Sequence, residues 1–137
     1  MPIASPLKSE TLTLRTDEDV ARVRLTVRAW MVEQQFRLLA QTKMVTATSE
    51  LARNAVVYGG GGTARLERLM SGERCGIRLT IEDQGPGIAD IAQAMQNGFT
   101  TGDGMGLGLG GSRRLVNDFE IWSELGKGTR VTITEWK

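Results

Sequence analysis

Four successive glycines, Gly59 to Gly62, separate two kinds of sequence pattern in this chain. Glycine loses more backbone freedom on folding than any other residue, so four in a row cannot continue a helix. The residues before this run repeat their apolar side chains at helical spacing, and those directly after it alternate apolar with polar. The run therefore marks the end of a helix, and an extended segment is expected to follow it.

Two helices and one strand are predicted before the glycines. Residues 11–15 alternate as an edge strand does. Thr16 and Asp17 are suited to cap a helix over about 18–36, and a second helix covers roughly 38–58. The buried stripes predicted for these helices are Val20, Val23, Val27, Trp30 and Met31 in the first, and Val45, Thr48, Leu51, Ala52 and Ala55 in the second.

Two hairpins and two short helices are predicted after the glycines. The turns of the hairpins are Ser71–Arg74 and Gly126–Gly128. The predicted elements are strands over 63–70, 76–82, 119–124 and 129–136, and helices over 88–97 and 109–118. The residues expected to point inward from the first of these helices are Ile88, Ile91, Ala92 and Met95.

Helices and antiparallel hairpins are thus mixed along the chain. This pattern predicts an α/β (α+β) two-layer sandwich, in which a mixed, largely antiparallel sheet carries helices on one face. It disfavours a doubly wound parallel sheet, which needs strands and helices in strict alternation. The length of 137 residues fits one domain spanning residues 1–137.

The chain contains no histidine, which excludes several kinds of catalysis. Ser-His-Asp and Cys-His sites, most catalytic zinc sites, the usual protein-kinase catalytic loop and phosphorylation of a histidine in the chain itself all need that residue. Any chemistry must therefore use carboxylates, amides, hydroxyls, lysines or arginines. The formal charge of +1 also argues against a mainly electrostatic nucleic-acid binder.

Cysteine usage and hydropathy indicate the compartment. Cys75 is the only cysteine, so the chain cannot form an internal disulfide and a reducing environment is expected. The first ten residues show no signal-peptide pattern, and no apolar run approaches the roughly 20 residues of a membrane span. We therefore expect a soluble cytoplasmic protein with neither a membrane nor a nucleic-acid partner.

Glu50, Arg53 and Asn54 lie close together on the face of the second predicted helix that is opposite its apolar stripe. Glu50 and Asn54 are four residues apart, so their side chains are neighbours. A carboxylate beside an amide oxygen suits a hard cation such as Mg²⁺, or a general base next to a metal-bound phosphate. The alternative is an exposed face on which Glu50 and Arg53 form an ion pair.

The segment Asp83-Gln84-Gly85-Pro86-Gly87 joins a predicted strand to a predicted helix. Two glycines around a proline form a tight turn whose backbone amides can face an anion or the polar edge of a ligand. Asp83 itself could accept a hydrogen bond from an exocyclic amine such as that of adenine. The alternative is an ordinary turn in which Asp83 accepts hydrogen bonds from the local backbone.

Residues 98–111 are unusually rich in glycine, including Gly104, Gly106, Gly108 and Gly110. Such a loop, followed by the amides of a helix N-terminus, is suited to wrap around phosphates. Met105, Leu107 and Leu109 alternate with the glycines, which is rare in solvated linkers, although a flexible linker remains the alternative.

Two familiar nucleotide motifs do not fit this chain. Gly106, Gly108 and Gly111 satisfy G-x-G-x-x-G, but no strand is predicted before them, so the dinucleotide-binding motif lacks its context. A P-loop is absent as well, because Lys127 is followed by Gly128 and not by serine or threonine. A nucleotide site in this chain must therefore have another design.

The order of these elements resembles the ATPase domain of histidine kinases, gyrase, Hsp90 and MutL, known as the Bergerat (GHKL) fold. Its helix motif is matched by Glu50 to Asn54, its D-x-G-x-G by Asp83 to Gly87, its glycine lid by Gly104 to Gly108, and a later Gly-Thr pair by Gly128 and Thr129. Within that superfamily, Ser49 to Asn54, Glu82 to Ile88 and the Gly98-Phe99 pair look like the RsbT-type serine/threonine switch kinases of bacterial stress signalling.

The resemblance implies a role for each matching residue. Glu50 would act as the base or orient the attacking hydroxyl, Asn54 would hold Mg²⁺, and Asp83 would bind the adenine amine of ATP. Gly85 and Gly87 would shape the base pocket, and Gly104, Gly106 and Gly108 would close over the phosphates. Arg53, Leu107 and Thr129 are expected among the nucleotide-binding residues too.

The implied activity is transfer of the γ-phosphate of ATP to a serine or threonine of a sulfate-transporter/anti-sigma-antagonist (STAS) protein, followed by activation of a downstream phosphatase. The alternative is an anti-sigma factor, or a binding module that uses ATP without catalysis. Anti-sigma factors of this family often carry a histidine where Tyr58 stands, which favours the kinase branch.

Overall fold

The computed structural model describes residues 6–95 and 108–137, which contain five strands and four helices. In chain order these elements are β1 (Lys8–Leu14), α1 (Asp17–Glu33), α2 (Leu38–Val57), β2 (Gly62–Ser71), β3 (Arg74–Asp83), α3 (Ile91–Ala94), α4 (Gly108–Arg114), β4 (Asp118–Glu124) and β5 (Gly128–Trp136). The predicted α+β architecture is confirmed.

The strands form one open sheet in the order β1-β2-β3-β5-β4, and each neighbouring pair is antiparallel. Leu79 on β3 stands opposite Leu66 on β2 and Ile133 on β5, and all three are fully buried. Alternate side chains of a strand point to opposite faces, so this register gives the sheet one apolar face and one polar face. The apolar face forms the core with the long helices.

The two long helices supply the other half of the core with the stripes that their periodicity predicts. Val23, Val27, Trp30 and Met31 of α1 are buried, as are Leu51 and the other predicted residues of α2, whereas Val20 is only partly buried. Each fully buried large apolar side chain contributes about 1.5–3 kcal/mol relative to exposure. The core therefore fixes the position of α2 over the sheet.

Helix α1 begins as predicted and ends earlier than predicted. The Thr16 hydroxyl accepts a hydrogen bond from the Asp19 amide at 3.2 Å, and the Asp19 carboxylate accepts one from the Thr16 amide, forming a capping box. The helix ends at Glu33 because Gln35 adopts φ = 61°, which turns the chain out of the helix before Phe36.

The predicted helix over 88–97 is wrong in its extent, and only the single turn Ile91–Ala94 is helical among its described residues. Gly87 has φ = 79°, which is not a helical conformation, and the Ile88 amide donates to the hydroxyl of Ser123 on β4 at 2.7 Å. A helix therefore does not begin at these two residues. Ala92 is exposed, contrary to prediction, and Ala94 is the buried alanine. Residues 96 and 97 lie outside the described residues.

Helix α4 ends at Arg114, four residues before its predicted end. The polar residues that follow it bind the end of β5 instead. The Asn117 amide donates to the Glu135 carboxylate at 2.9 Å, and the Asn117 side-chain oxygen accepts from the Trp136 amide at 2.7 Å.

No helix within residues 6–95 and 108–137 is long and apolar enough to cross a membrane.

Candidate functional site

A cavity of about 460 Å³ lies between the second half of α2, the C-terminal end of β3 and the N-terminal end of β5. Its size falls within the range typical of small-molecule sites. Six residues singled out from the sequence line it together: Glu50, Asn54, Asp83, Gly87, Gly108 and Thr129. The structure thus brings residues of four separate sequence motifs to one place.

Glu50 is only 3% exposed, although the helix pattern assigns it to a polar face. Among the ion pairs of the described residues, none joins Glu50 to Arg53, so the exposed-pair alternative is wrong. Helix α4 packs against α2 and covers this position. The sequence pattern could not show this cover, because it comes from residues more than fifty positions away.

The Glu50 carboxylate is incompletely hydrogen-bonded. The backbone of Gly108 bonds to it, whereas its Oε1 atom is buried and has no hydrogen-bond partner among the described residues. Burial raises the pKa of Glu50, and the opposing effects of the Arg53 charge and the Gly108 hydrogen bond are smaller. A buried carboxyl group with a raised pKa and a free oxygen at a cavity wall is suited to take up a proton.

Asn54 stands one turn after Glu50 on α2 and lines the same cavity. The helix ends just beyond it, since Gly60 and Gly61 adopt φ = 72° and 99° and the Gly61 amide bonds back to the Ala55 carbonyl at 2.8 Å. The glycine run therefore ends the helix as predicted.

Asp83 is the last residue of β3 and stands opposite Thr129 of β5. Its carboxylate accepts a hydrogen bond from the Gly85 amide at 2.9 Å and a further one from the Thr129 backbone. Burial raises the pKa of Asp83 in spite of these two hydrogen bonds. Asp83 therefore accepts hydrogen bonds from the local backbone and also lines the cavity.

The glycines of the turn are required by close backbone packing. A Cβ atom on Gly85 would lie 2.6 Å from the Gly59 Cα, and one on Gly59 would collide with the Asp83 carboxyl group. Gly87, in the left-handed region, lies against the Glu124 carbonyl oxygen. Gly85 therefore supports Asp83 from outside the cavity wall.

Other candidates from the sequence lie elsewhere. Arg53 is exposed and does not line the cavity, so its nucleotide contact stays a prediction. Gly104, Gly106 and Leu107 lie outside the described residues. Of the residues predicted to close over phosphates, Gly108 alone is described, and it is buried at the start of α4.

Several wall residues were not predicted as part of a site. Gly59 was interpreted only as a helix stop, and the apolar wall was interpreted only as core. A periodic pattern shows that a side chain points inward but does not distinguish a packed core from the wall of a cavity. The apolar residues of the wall include Leu51, Ala55, Ile81, Ala94, Leu109 and Val131.

The charges at this cavity bear on what it can hold. The ionisable acids that line it are Glu50, Asp83 and Asp90, and no lysine or arginine is among its described lining residues. The described residues also contain no cluster of three or more His, Cys, Asp or Glu side chains that could hold a metal by themselves. A polyanionic ligand would therefore need a cation bound jointly with it, for which the amide and carboxylate oxygens of Asn54 and Glu50 are suited.

Known proteins are similar to this chain in sequence and in fold. The family model "Histidine kinase-, DNA gyrase B-, and HSP90-like ATPase" matches residues 40–136. The serine/threonine-protein kinase RsbT of Bacillus subtilis is 37% identical, over 90% of this chain and 92% of its own. An anti-sigma F factor of Thermoanaerobacter is 28% identical over 99% of this chain and 96% of its own.

A solved structure with RsbU and RsbW domains from Mycobacterium tuberculosis is 22% identical and superposes with a TM-score of 0.65. The match covers 97% of this chain and 34% of that one. At this level of identity the likeness shows a shared fold, in agreement with the five-stranded sheet and its helix layer.

Proposed function

Because the chain belongs to the family of histidine kinase-, DNA gyrase B- and HSP90-like ATPases, we propose that it is a serine/threonine protein kinase. It binds ATP with Mg²⁺ and phosphorylates STAS-domain antagonist or scaffold proteins in a bacterial stress-response pathway of partner switching. Release from the phosphorylated partner frees it to activate a downstream phosphatase in the cytoplasm. The similarity to RsbT over nearly the whole chain supports this proposal.

The observation that carries the kinase proposal is the state of Glu50. Its carboxyl group is almost fully buried, lines the cavity, has a raised pKa and leaves Oε1 without a partner among the described residues. A general base works best with a pKa raised toward the operating pH, and burial produces this effect here. A binding module has no need of such a group.

The residues of the cavity divide the work as follows. Asn54 would hold Mg²⁺, and the cation would offset the phosphate charge that the acidic wall otherwise repels. Asp83 accepts a hydrogen bond from the adenine amine, with Thr129 and Gly87 beside it. Glu50 takes the proton of a serine or threonine hydroxyl of the partner protein. The oxygen of that hydroxyl bonds to the γ-phosphorus as the bond between the γ-phosphorus and ADP breaks.

The activity is tested with labelled ATP, Mg²⁺ and STAS-domain proteins from the same organism. Wild type should label a serine or threonine, and Glu50→Gln should lower the rate by about 10²–10⁴-fold, the usual contribution of a general base. Glu120→Gln, at an exposed carboxylate on β4, makes the same charge change and should leave the rate intact. Equal, low labelling by wild type and Glu50→Gln would refute the kinase proposal.

The adenine site is tested separately by calorimetry. Asp83→Asn should remove most of the ATP affinity while the far-UV circular dichroism spectrum stays that of wild type, because the amide presents a donor where the carboxylate presents only acceptors. Undiminished ATP binding by Asp83→Asn would show that Asp83 does not recognise the base.

An anti-sigma factor or a non-catalytic ATP-dependent binding module is the second candidate. It is favoured by the anti-sigma F factor that aligns with 99% of this chain. This candidate predicts that the protein co-purifies with a sigma factor and that Glu50→Gln leaves the complex unchanged. Labelling of a partner that depends on Glu50 would contradict a purely non-catalytic role.

A further inference from the structure

Ser123 is a half-buried residue of β4 that does not line the cavity but contacts three residues around it. Its hydroxyl accepts a hydrogen bond from the Ile88 amide at 2.7 Å, and Ile88 follows directly after the Asp83–Gly87 turn. It donates to the Gly128 carbonyl at 2.9 Å and lies 2.9 Å from the Thr129 hydroxyl.

The three contacts determine the direction of the bond between the two hydroxyls. A serine hydroxyl has one proton and two lone pairs. A carbonyl oxygen can only accept, so the single Ser123 proton goes to Gly128. The proton between Ser123 and Thr129 must therefore come from Thr129.

This direction fixes what Thr129 can offer to a ligand. Since its proton points at Ser123, the Thr129 hydroxyl presents lone pairs to the cavity that it lines. Asp83, directly opposite Thr129 in the sheet register, is a second acceptor. This part of the wall consequently accepts hydrogen bonds from a ligand and donates none from these two side chains.

The substituent at position 6 of a purine base is sensitive to that difference. An adenine ring carries an amino group that donates hydrogen bonds, whereas a hypoxanthine ring carries a carbonyl oxygen that accepts them. A buried acceptor that faces another acceptor is left unpaired, and this costs more than the loss of a hydrogen bond alone.

We propose that Ser123 is a specificity-determining positioning residue. By taking the Thr129 proton, it keeps this wall of the cavity acceptor-only and so selects a 6-aminopurine nucleotide over a 6-oxopurine nucleotide. The inference rests on the proposed nucleotide-binding function and adds a residue outside the cavity to it.

The test compares the affinities of ATP and ITP, each with Mg²⁺, by calorimetry. Wild type should prefer ATP. Ser123→Ala releases the Thr129 proton to the cavity, so ATP affinity should fall by about fivefold, the equivalent of one neutral hydrogen bond, and ITP affinity should hold or rise. Ser123→Thr retains the hydroxyl and should restore the wild-type ATP-to-ITP ratio.

Thr132→Ala is the matched control. Its hydroxyl pairs with that of Thr80 at 3.4 Å on the polar face of the same sheet, so this variant loses a similar contact far from the turn. The ratio should not change in this control. Thr129→Val gives a second route to the same conclusion should Ser123→Ala fail to fold, because it removes the acceptor itself and should also lower the ratio.

The outcomes separate the inference from the function on which it rests. If wild type binds neither nucleotide, the proposed function is wrong and the role of Ser123 is lost with it. If wild type prefers ATP but Ser123→Ala and Thr129→Val keep the same ratio, the role of Ser123 is overturned and ATP binding stands. A general loss of folding stability would weaken both nucleotides equally and would also contradict the proposal.

Discussion

Replacing Glu50 with glutamine should make the nucleotide-free protein more stable while removing the proposed phosphotransfer. The carboxylate is 3% exposed, its Oε1 atom has no partner among the described residues, and burial raises its pKa. Each of these observations says that the charged form is poorly accommodated in the folded protein. A group retained in spite of such a cost is expected at a site of function.

The size of the gain follows from the contacts of the two carboxylate oxygens. Leaving a buried polar atom unpaired costs about 1–3 kcal/mol, and more when the atom is charged, so replacing a charged unpaired oxygen by a neutral group recovers part of the cost. A glutamine can still accept the Gly108 hydrogen bond, but its amide nitrogen then occupies the unpartnered position. The lower end of the range is therefore expected, about 1 kcal/mol, or an increase of roughly 3–5 °C in the melting temperature of a chain this size.

The gain should depend on pH in a definite direction. The folded-state pKa of Glu50 lies above its ordinary value of 4.5, so folding favours the protonated form. Stability from this group is fully present below pH 4.5 and is lost as the pH rises through the folded-state pKa. The difference between Glu50→Gln and wild type should therefore be largest at neutral pH and shrink toward pH 4.

Urea unfolding of wild type, Glu50→Gln and Glu120→Gln at pH 7.5 and pH 4 measures these quantities. Glu120→Gln controls for the change in net charge, because Glu120 is exposed on β4. Two results would refute the reasoning: a Glu50→Gln variant no more stable than wild type at pH 7.5, or a difference that stays constant between the two pH values.

Further predictions concern the turn and the far end of the sheet. Gly85→Ala places a methyl group 2.6 Å from the Gly59 Cα and should weaken ATP binding by about tenfold in calorimetry. Gly72→Ala strains the backbone at φ = 63° but has open space around its Cβ and does not line the cavity, so it should leave ATP binding unchanged. Equal binding by both variants would show that Asp83 does not depend on this packing. Glu135→Gln should stabilise the protein at pH 7 in urea unfolding and lose this advantage below pH 4.5, since burial raises the pKa of Glu135; a pH-independent effect would contradict it.

The fold could be predicted from the sequence because each element carries its own local signal. The apolar stripe from Val23 to Met31 indicates the buried face of α1. The alternation in the strands that contain Leu66, Leu79 and Ile133 indicates the buried face of the sheet. Thr16, the N-cap, indicates where α1 begins. These signals need only neighbouring residues, and they agree with one another.

The parts that could not be predicted depend on contacts between distant residues. The Ile88 amide donates its hydrogen bond to Ser123, thirty-five positions later, so the helix predicted over 88–97 does not begin at Ile88. The burial of Glu50 comes from α4, and the importance of Gly59 comes from its packing against Asp83 and Gly85. No local pattern carries such information, so the sequence indicated the motifs but not how they support each other.

The position of β5 has a consequence for synthesis. It is the fifth strand along the chain, yet it lies between β3 and β4 and supplies Thr129 opposite Asp83. A nascent chain that has been translated only as far as residue 127 holds Glu50, Asn54 and Asp83 but has neither the strand that completes the sheet nor one wall of the cavity. Residues 128–136 must therefore emerge from the ribosome before the site can form. Nucleotide binding can then stabilise only chains that have been translated through this strand.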